Sequence, residues 1–166
     1  MADDNRTVAV LEGTAQFRKA LEKGFGALGI TVHAAGTWDE ATGLMADLGS
    51  KIAVAILDTD LPGRPCQGIV ENLPLLPDGR WPVFLATERE PDREEVAEAH
   101  RHGIIGYLHK LADLDENLFR VQAYLDDRLA RSDMCAPRAP AVATVRLEPR
   151  SARHGKPRIG DRKSVV

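Results

Sequence analysis

The sequence is poor in cysteine: Cys66 and Cys135 are the two in 166 residues, far apart and in no CxxC pair. That excludes a disulfide framework and a cysteine-rich zinc site, and it suits free thiols in a reducing compartment. Aromatic residues make up 5% of the chain, and Trp38 and Trp81 read as packing groups rather than stacking platforms. No apolar run approaches the ~20 residues needed to cross a bilayer, and the start, Met1-Ala2-Asp3-Asp4, is acidic. A soluble, cytoplasmic protein with no membrane partner is expected. No GxGxxG or GxxxxGK[ST] pattern follows the first apolar run, which disfavours a nucleotide-binding enzyme. His100 and His102 stand two apart on a helical segment and face away from each other, a poor start for a metal site.

Charge is unevenly spread. Residues 132–166 carry eight Lys/Arg against three Asp/Glu, a net +5, while residues 1–131 carry 14 against 22, a net −8. An acidic body cannot be a nucleic-acid-binding surface throughout, so any affinity for polyanions would lie in the basic segment. Its cations are spread thinly and lack interleaved aromatics, so specific recognition of nucleic acid is not expected.

What is present is a repeated alternation. Short apolar runs occur at Val8–Leu11, Ile30–Val32, Ile52–Leu57, Val83–Ala86 and Tyr107–Leu108. Runs without polar alternation suit central parallel strands covered on both faces. Between them lie helix-like segments: one opened by Thr14 and stopped at Gly29, one opened by a Thr37/Glu40 capping box and closed by Gly49, and one opened by Pro91 and Asp92 and ending before Gly103. A last helix is expected from about Leu114 to Ala130, with an apolar stripe of Leu118, Val121, Leu125 and Leu129. The stretch from Gly68 to Leu76 has room for about two helical turns before the Pro77-Asp78-Gly79 turn. The pattern predicts an α/β fold, a doubly wound five-stranded parallel sheet. Beyond Arg131 it dissolves into Pro, Arg, Ala and Ser, so residues 1–131 are expected to form the domain and residues 132–166 a disordered basic tail.

In such a sheet, functional groups collect where neighbouring strands end. Glu12, Asp58, Thr87 and Lys110 each follow or close a predicted strand. A carboxylate, a hydroxyl and an ammonium meeting at one edge suit phosphoryl transfer. Asp58-Thr59-Asp60-Leu61-Pro62-Gly63 resembles the segment around the phospho-acceptor of receiver domains in two-component signalling. Pro82–Thr87 is similar to the family's strand ending in its switch hydroxyl, and Gly106-Tyr107-Leu108-His109-Lys110 to the strand ending in its lysine. The resemblance spans residues 7 to about 130. It implies a flavodoxin-like (βα)5 receiver fold, with Asp58 phosphorylated by a histidine kinase or phosphotransfer protein. It further implies that Thr87 and Lys110 bind the phosphoryl oxygens, that Tyr107 is the switch aromatic, and that Mg2+ is the cofactor.

Three positions depart from that family. Its acidic pair after the first strand is Glu12-Gly13 here, so one metal-ligand position has no side chain. Glu12, Asp58 and Asp60 remain as candidate ligands of a weakly held magnesium ion, and a carboxylate restored at Gly13 is expected to strengthen its binding. Glu88 follows Thr87 in place of a small residue. Leu111 replaces a proline joined by a cis bond, and since a non-proline cis bond costs ~2.5–4 kcal/mol, a trans Lys110 loop is expected. The sequence therefore predicts a non-enzymatic, phospho-accepting signalling module that acts on a protein partner through its last two helices. The alternative is a phosphorylation-independent pseudo-receiver that serves as a protein-binding scaffold. Because the periodic core ends at Leu129, a chain truncated after Arg131 is expected to keep one cooperative unfolding transition. Loss of that transition would contradict the division.

Overall fold

A computed structural model describes residues 6–63 and 81–135. The strands are β1 (Thr7–Leu11), β2 (Thr31–Ala35), β3 (Val54–Asp58), β4 (Val83–Thr87) and β5 (Ile104–His109). They form one sheet in the order β2-β1-β3-β4-β5, and every pairing is parallel. Parallel neighbours need crossover connections, and the described crossovers are α1 (Ala15–Ala27), α2 (Trp38–Leu48) and α3 (Arg93–Arg101). Helix α4 (Leu114–Cys135) follows β5.

The uninterrupted apolar runs are explained by burial on both faces. Alternate strand residues belong to two separate cores: Ala9, Leu11, Ala55, Leu57 and Leu85 pack with Ala41 and Met45 of α2 and Ala99 of α3. Val8, Val10, Val54, Ile56, Phe84 and Leu108 pack with Leu21 and Phe25 of α1 and Leu118, Val121 and Leu125 of α4. Every residue of β1 is buried, whereas the edge strand β2 is mostly not. This is the doubly wound arrangement that the sequence predicts.

Local punctuation matches in part. Gly29 adopts φ 71° just after α1, a left-handed conformation that halts the helix without strain on a side chain. Asp92 caps α3 by accepting from the amides of Glu94 and Glu95, and Glu95 returns a bond to the Asp92 amide. Thr37 accepts from the Glu40 amide, but Glu40 reaches back to the Gly36 amide, one residue before the expected one. Thr14 makes no side-chain cap: its amide instead donates to Glu12 Oε1 at 2.8 Å. The last helix also runs on to Cys135, five residues beyond the expected end at Ala130. The expected helical turns between Gly68 and Leu76, Cys66 and the basic segment from residue 136 onward lie outside the described residues.

Helix α4 is secured to the far end of the sheet by the ion pair of Arg6 with Asp126 and by Arg128, which donates to the Ala53 carbonyl. Leu125 is fully buried between that helix and the sheet. Leu125→Ala is expected to lower stability by about 2–5 kcal/mol, read by urea unfolding. A loss well under that range would mean that α4 is not seated on the core.

Candidate functional site

The carboxyl ends of β1, β3 and β5 bring three charges together. Lys110 Nζ lies 2.7 Å from Asp58 Oδ1 and 2.9 Å from Glu12 Oε1. All three are withdrawn from solvent: Glu12 is 0% exposed, Asp58 2%, and the Lys110 side chain 7%. In so dry a place an ion pair needs further hydrogen bonds to offset lost hydration. They are present. Asp58 Oδ1 also accepts from the Asp60 amide at 2.9 Å, and Asp58 Oδ2 from the Gly13 amide at 3.1 Å. The exception is Glu12 Oε2, which is buried without a hydrogen-bond partner among the described residues.

Two carboxylates around one ammonium leave one excess negative charge. Burial pushes the Glu12 carboxyl above its ordinary 4.5, against the Lys110 and Thr14 bonds that favour ionisation. Burial also pushes Asp58 upward, but Lys110, the Asp60 amide and the Gly13 amide outweigh it and hold that carboxyl below its ordinary 3.8. Burial lowers Lys110, but the two carboxylates more than reverse this and keep it firmly protonated. Of the two carboxyls Glu12 is therefore the more readily protonated, and its Oε2 is the oxygen without a hydrogen-bond partner among the described residues.

Lys110 is positioned without the proline of the resembling family. Its amide pairs with the Thr87 carbonyl at 2.9 Å, and the Leu111 amide donates to His109 Nδ1 at 3.2 Å. Asn117, 1% exposed, donates from Nδ2 to the His109 carbonyl at 2.8 Å. No cis peptide bond occurs among the described residues, in line with the expected trans loop at Leu111. Leu111 itself is 75% exposed. Glu88 lines a cleft of about 340 Å³ with Thr14, Phe17, Lys110 and Leu111.

Thr87 and Tyr107 stand on neighbouring strands but turn elsewhere. The Thr87 hydroxyl donates to the Arg89 carbonyl at 2.9 Å, and the Tyr107 hydroxyl donates to the Glu95 carbonyl at 3.4 Å. Both line a larger cavity of about 720 Å³ that also includes Arg89, Glu95 and Ala99. Of the residues singled out in the sequence, the fold thus brings Glu12, Asp58 and Lys110 into contact and places Thr87 and Tyr107 beside a cavity that Thr59, next to Asp58, also lines.

Magnesium does not fit this donor set. Among the described residues no three His, Cys, Asp or Glu side chains gather to hold a metal, so Glu12, Asp58 and Asp60 do not form the expected group. Asp60 is exposed, and what it contributes to the cluster is its amide. Gly13 is not an open seat either. A Cβ there would lie 2.6 Å from Pro62 Cδ, closer than real Cβ contacts come, so a carboxylate cannot simply be restored as the sequence suggested.

Sequence reasoning missed Pro62 and Asn117 as parts of the site. Asn117 did leave a signal, as a polar residue at core-facing spacing from Leu114 and Val121. Pro62 stands in the acceptor-like segment, but its packing against Gly13 left no signal, because that contact reaches 49 positions back along the chain.

No protein-family model matches the chain, and no curated protein matches it. Solved structures do. One is a CheY-like response regulator receiver domain protein from Methanospirillum hungatei JF-1, with TM-score 0.62 and 16% identity over 76% of this chain and 98% of that one. A second is the receiver domain of response regulator 1452 from Francisella, with TM-score 0.62 and 19% identity over 74% and 98%. A third is a response regulator from Thermotoga maritima, with TM-score 0.57 and 21% identity over 72% and 97%. The chain has the receiver fold. Within it, Asp58 ends the third strand and Lys110 follows the fifth, as the sequence resemblance implied for the receiver fold. Among the described residues, no helix is long and apolar enough to cross a membrane.

The protonation scheme gives stability a definite pH dependence. A depressed Asp58 contributes stability above 3.8 that is lost as pH falls through its folded value. A raised Glu12 works the other way: from 4.5 up to its folded value the native state holds a proton that the unfolded chain has released, so stability declines as pH rises through that window. Glu12→Gln is expected to remove this decline and keep the acid-side loss. Unfolding free energies measured from acid to neutral pH should show it. An unchanged decline in the variant would mean that a group other than Glu12 produces it.

Proposed function

We propose that the chain is a receiver-type signalling module that acts by protein–protein contact, with the Asp58–Lys110–Glu12 cluster as a fixed internal brace rather than a phosphoryl acceptor. The observation that carries this reading is the enclosure of Asp58. Its Oδ1 is taken by Lys110 and Asp60, and its Oδ2 faces Gly13, against which Pro62 is packed. A nucleophile must present a free oxygen in line with the phosphorus it attacks, and here the carboxylate is 2% exposed with each oxygen engaged. The contact surface in this reading is the side of the molecule formed by α3, β5 and α4, and no catalysis is involved.

A second reading is favoured by the ionisation of Asp58. A carboxylate held below its ordinary range, 2.7 Å from an ammonium and one strand away from Thr87, has the chemical character of an acceptor. A histidine kinase or phosphotransfer protein would then be the donor: Asp58 would bond to phosphorus as the phosphorus–nitrogen bond breaks, and the departing imidazole nitrogen would keep the electron pair. Thr87 would have to leave the Arg89 carbonyl to meet the phosphoryl oxygens.

Intact-mass analysis after incubation with acetyl phosphate separates the two. The wild-type chain is expected to gain no phosphoryl group. Incorporation in the wild type that disappears in Asp58→Asn would overturn the brace reading in favour of acceptance.

A further inference from the structure

The receiver resemblance implies a magnesium site, but the residues present do not build one. From this disagreement we infer that the pocket takes no divalent cation: the Pro62 ring fills the seat beside Gly13, and the Lys110 ammonium is the resident cation of the cluster. The inference rests on the placement of Asp58, Glu12 and Lys110 as the receiver pocket, and it deepens the brace reading by naming the charge that holds the pocket shut.

Three observations carry it. The first is steric. A Cβ at Gly13 would meet Pro62 Cδ at 2.6 Å and Cγ at 3.2 Å, and would come within 3.3 Å of Asp58 Oδ2. The ring therefore stands where a ligand side chain beside Asp58 would have to project. Pro62 is itself tethered, since its carbonyl accepts from the Trp38 amide at the start of α2 at 2.8 Å. A proline ring has few ways to move aside, unlike the end of a flexible side chain.

The second concerns water. Magnesium demands near-octahedral oxygen ligands at about 2.0–2.1 Å and usually keeps several waters among them. With Glu12 0% and Asp58 2% exposed, the carboxylate oxygens have no hydrated space beside them. The third concerns charge. Both carboxylates already share one ammonium at 2.7 and 2.9 Å. A divalent ion would have to enter beside that positive charge or displace it, and displacing Lys110 would strip the cluster of the cation it is built around.

The test uses the full chain and magnesium chloride as the probe, with binding read by titration calorimetry and by the shift in Tm. Wild type is expected to show no saturable heat and no Tm shift at millimolar magnesium. Gly13→Asp is expected to lower Tm and gain no binding, because the new side chain meets the Pro62 ring. Pro62→Ala alone supplies no carboxylate and should also bind none, which keeps the test decisive if Gly13→Asp does not fold. The double variant Gly13→Asp with Pro62→Ala frees space for water and sets three carboxylates against the one Lys110 ammonium, and it should show saturable binding and a Tm that rises with magnesium. Saturable binding by wild type, or by Gly13→Asp alone, would overturn the inference, as would a folded double variant that binds nothing. The brace reading fails separately: phosphoryl incorporation at Asp58 with EDTA present would sink that reading and leave the metal-free pocket standing.

Discussion

The ammonium of Lys110, held between Glu12 and Asp58, is the constraint on which the rest of the pocket depends. Three strands and the loops that follow them meet at this one charge. Placing charged groups out of water costs several kcal/mol each, and the cost is offset when each has its partner and its remaining hydrogen bonds. The chain supplies those bonds from backbone that is itself fixed by the fold. The Gly13 and Asp60 amides serve Asp58, the Thr14 amide serves Glu12, and Asn117 holds the His109 carbonyl just before Lys110. The parallel sheet is thus both the origin of the pocket and a beneficiary of it, because the same contacts tie the ends of β1, β3 and β5 together.

The same arrangement is what the proposed metal-free pocket rests on. A site that assembles a third carboxylate can attract a divalent cation and must leave it water. This one replaces that carboxylate with a glycine, packs a proline against the glycine, and leaves the lysine to balance the charge. Burial, with one ammonium shared between two acids, raises the Glu12 carboxyl. Thr87 and Tyr107 are bonded to the Arg89 and Glu95 carbonyls and line a cavity that Thr59, next to Asp58 along the chain, also lines.

Much of the fold was legible because its signals are local or periodic. Runs such as Ile52–Leu57 announce strands covered on both faces, and Asp92 and Gly29 mark helix ends through backbone chemistry confined to a few residues. Convergence at the sheet edge was legible too, since strand order fixes which loops become neighbours, and Glu12, Asp58 and Lys110 do meet there. The meaning of Gly13 was not legible. Read alone, it is an absent ligand; in the fold it is the space that Pro62 occupies, a fact of tertiary packing that no spacing rule contains. The end of the last helix was misjudged for a related reason: helical bonds carry it to Cys135, beyond Leu129, where the apolar stripe read from the sequence ends.

The most direct test of the central claim is a stability cycle on the three charges. If Lys110 neutralises two buried acids, Lys110→Met alone should cost about 3–5 kcal/mol, because it leaves carboxylates without a counter-charge in a dry site. Adding Glu12→Gln and Asp58→Asn to it should then recover most of that loss, since nothing charged is left to compensate. Urea unfolding of wild type, the single variant and the triple variant gives the coupling. Recovery in the triple variant is the result this account predicts; losses that simply add would contradict it.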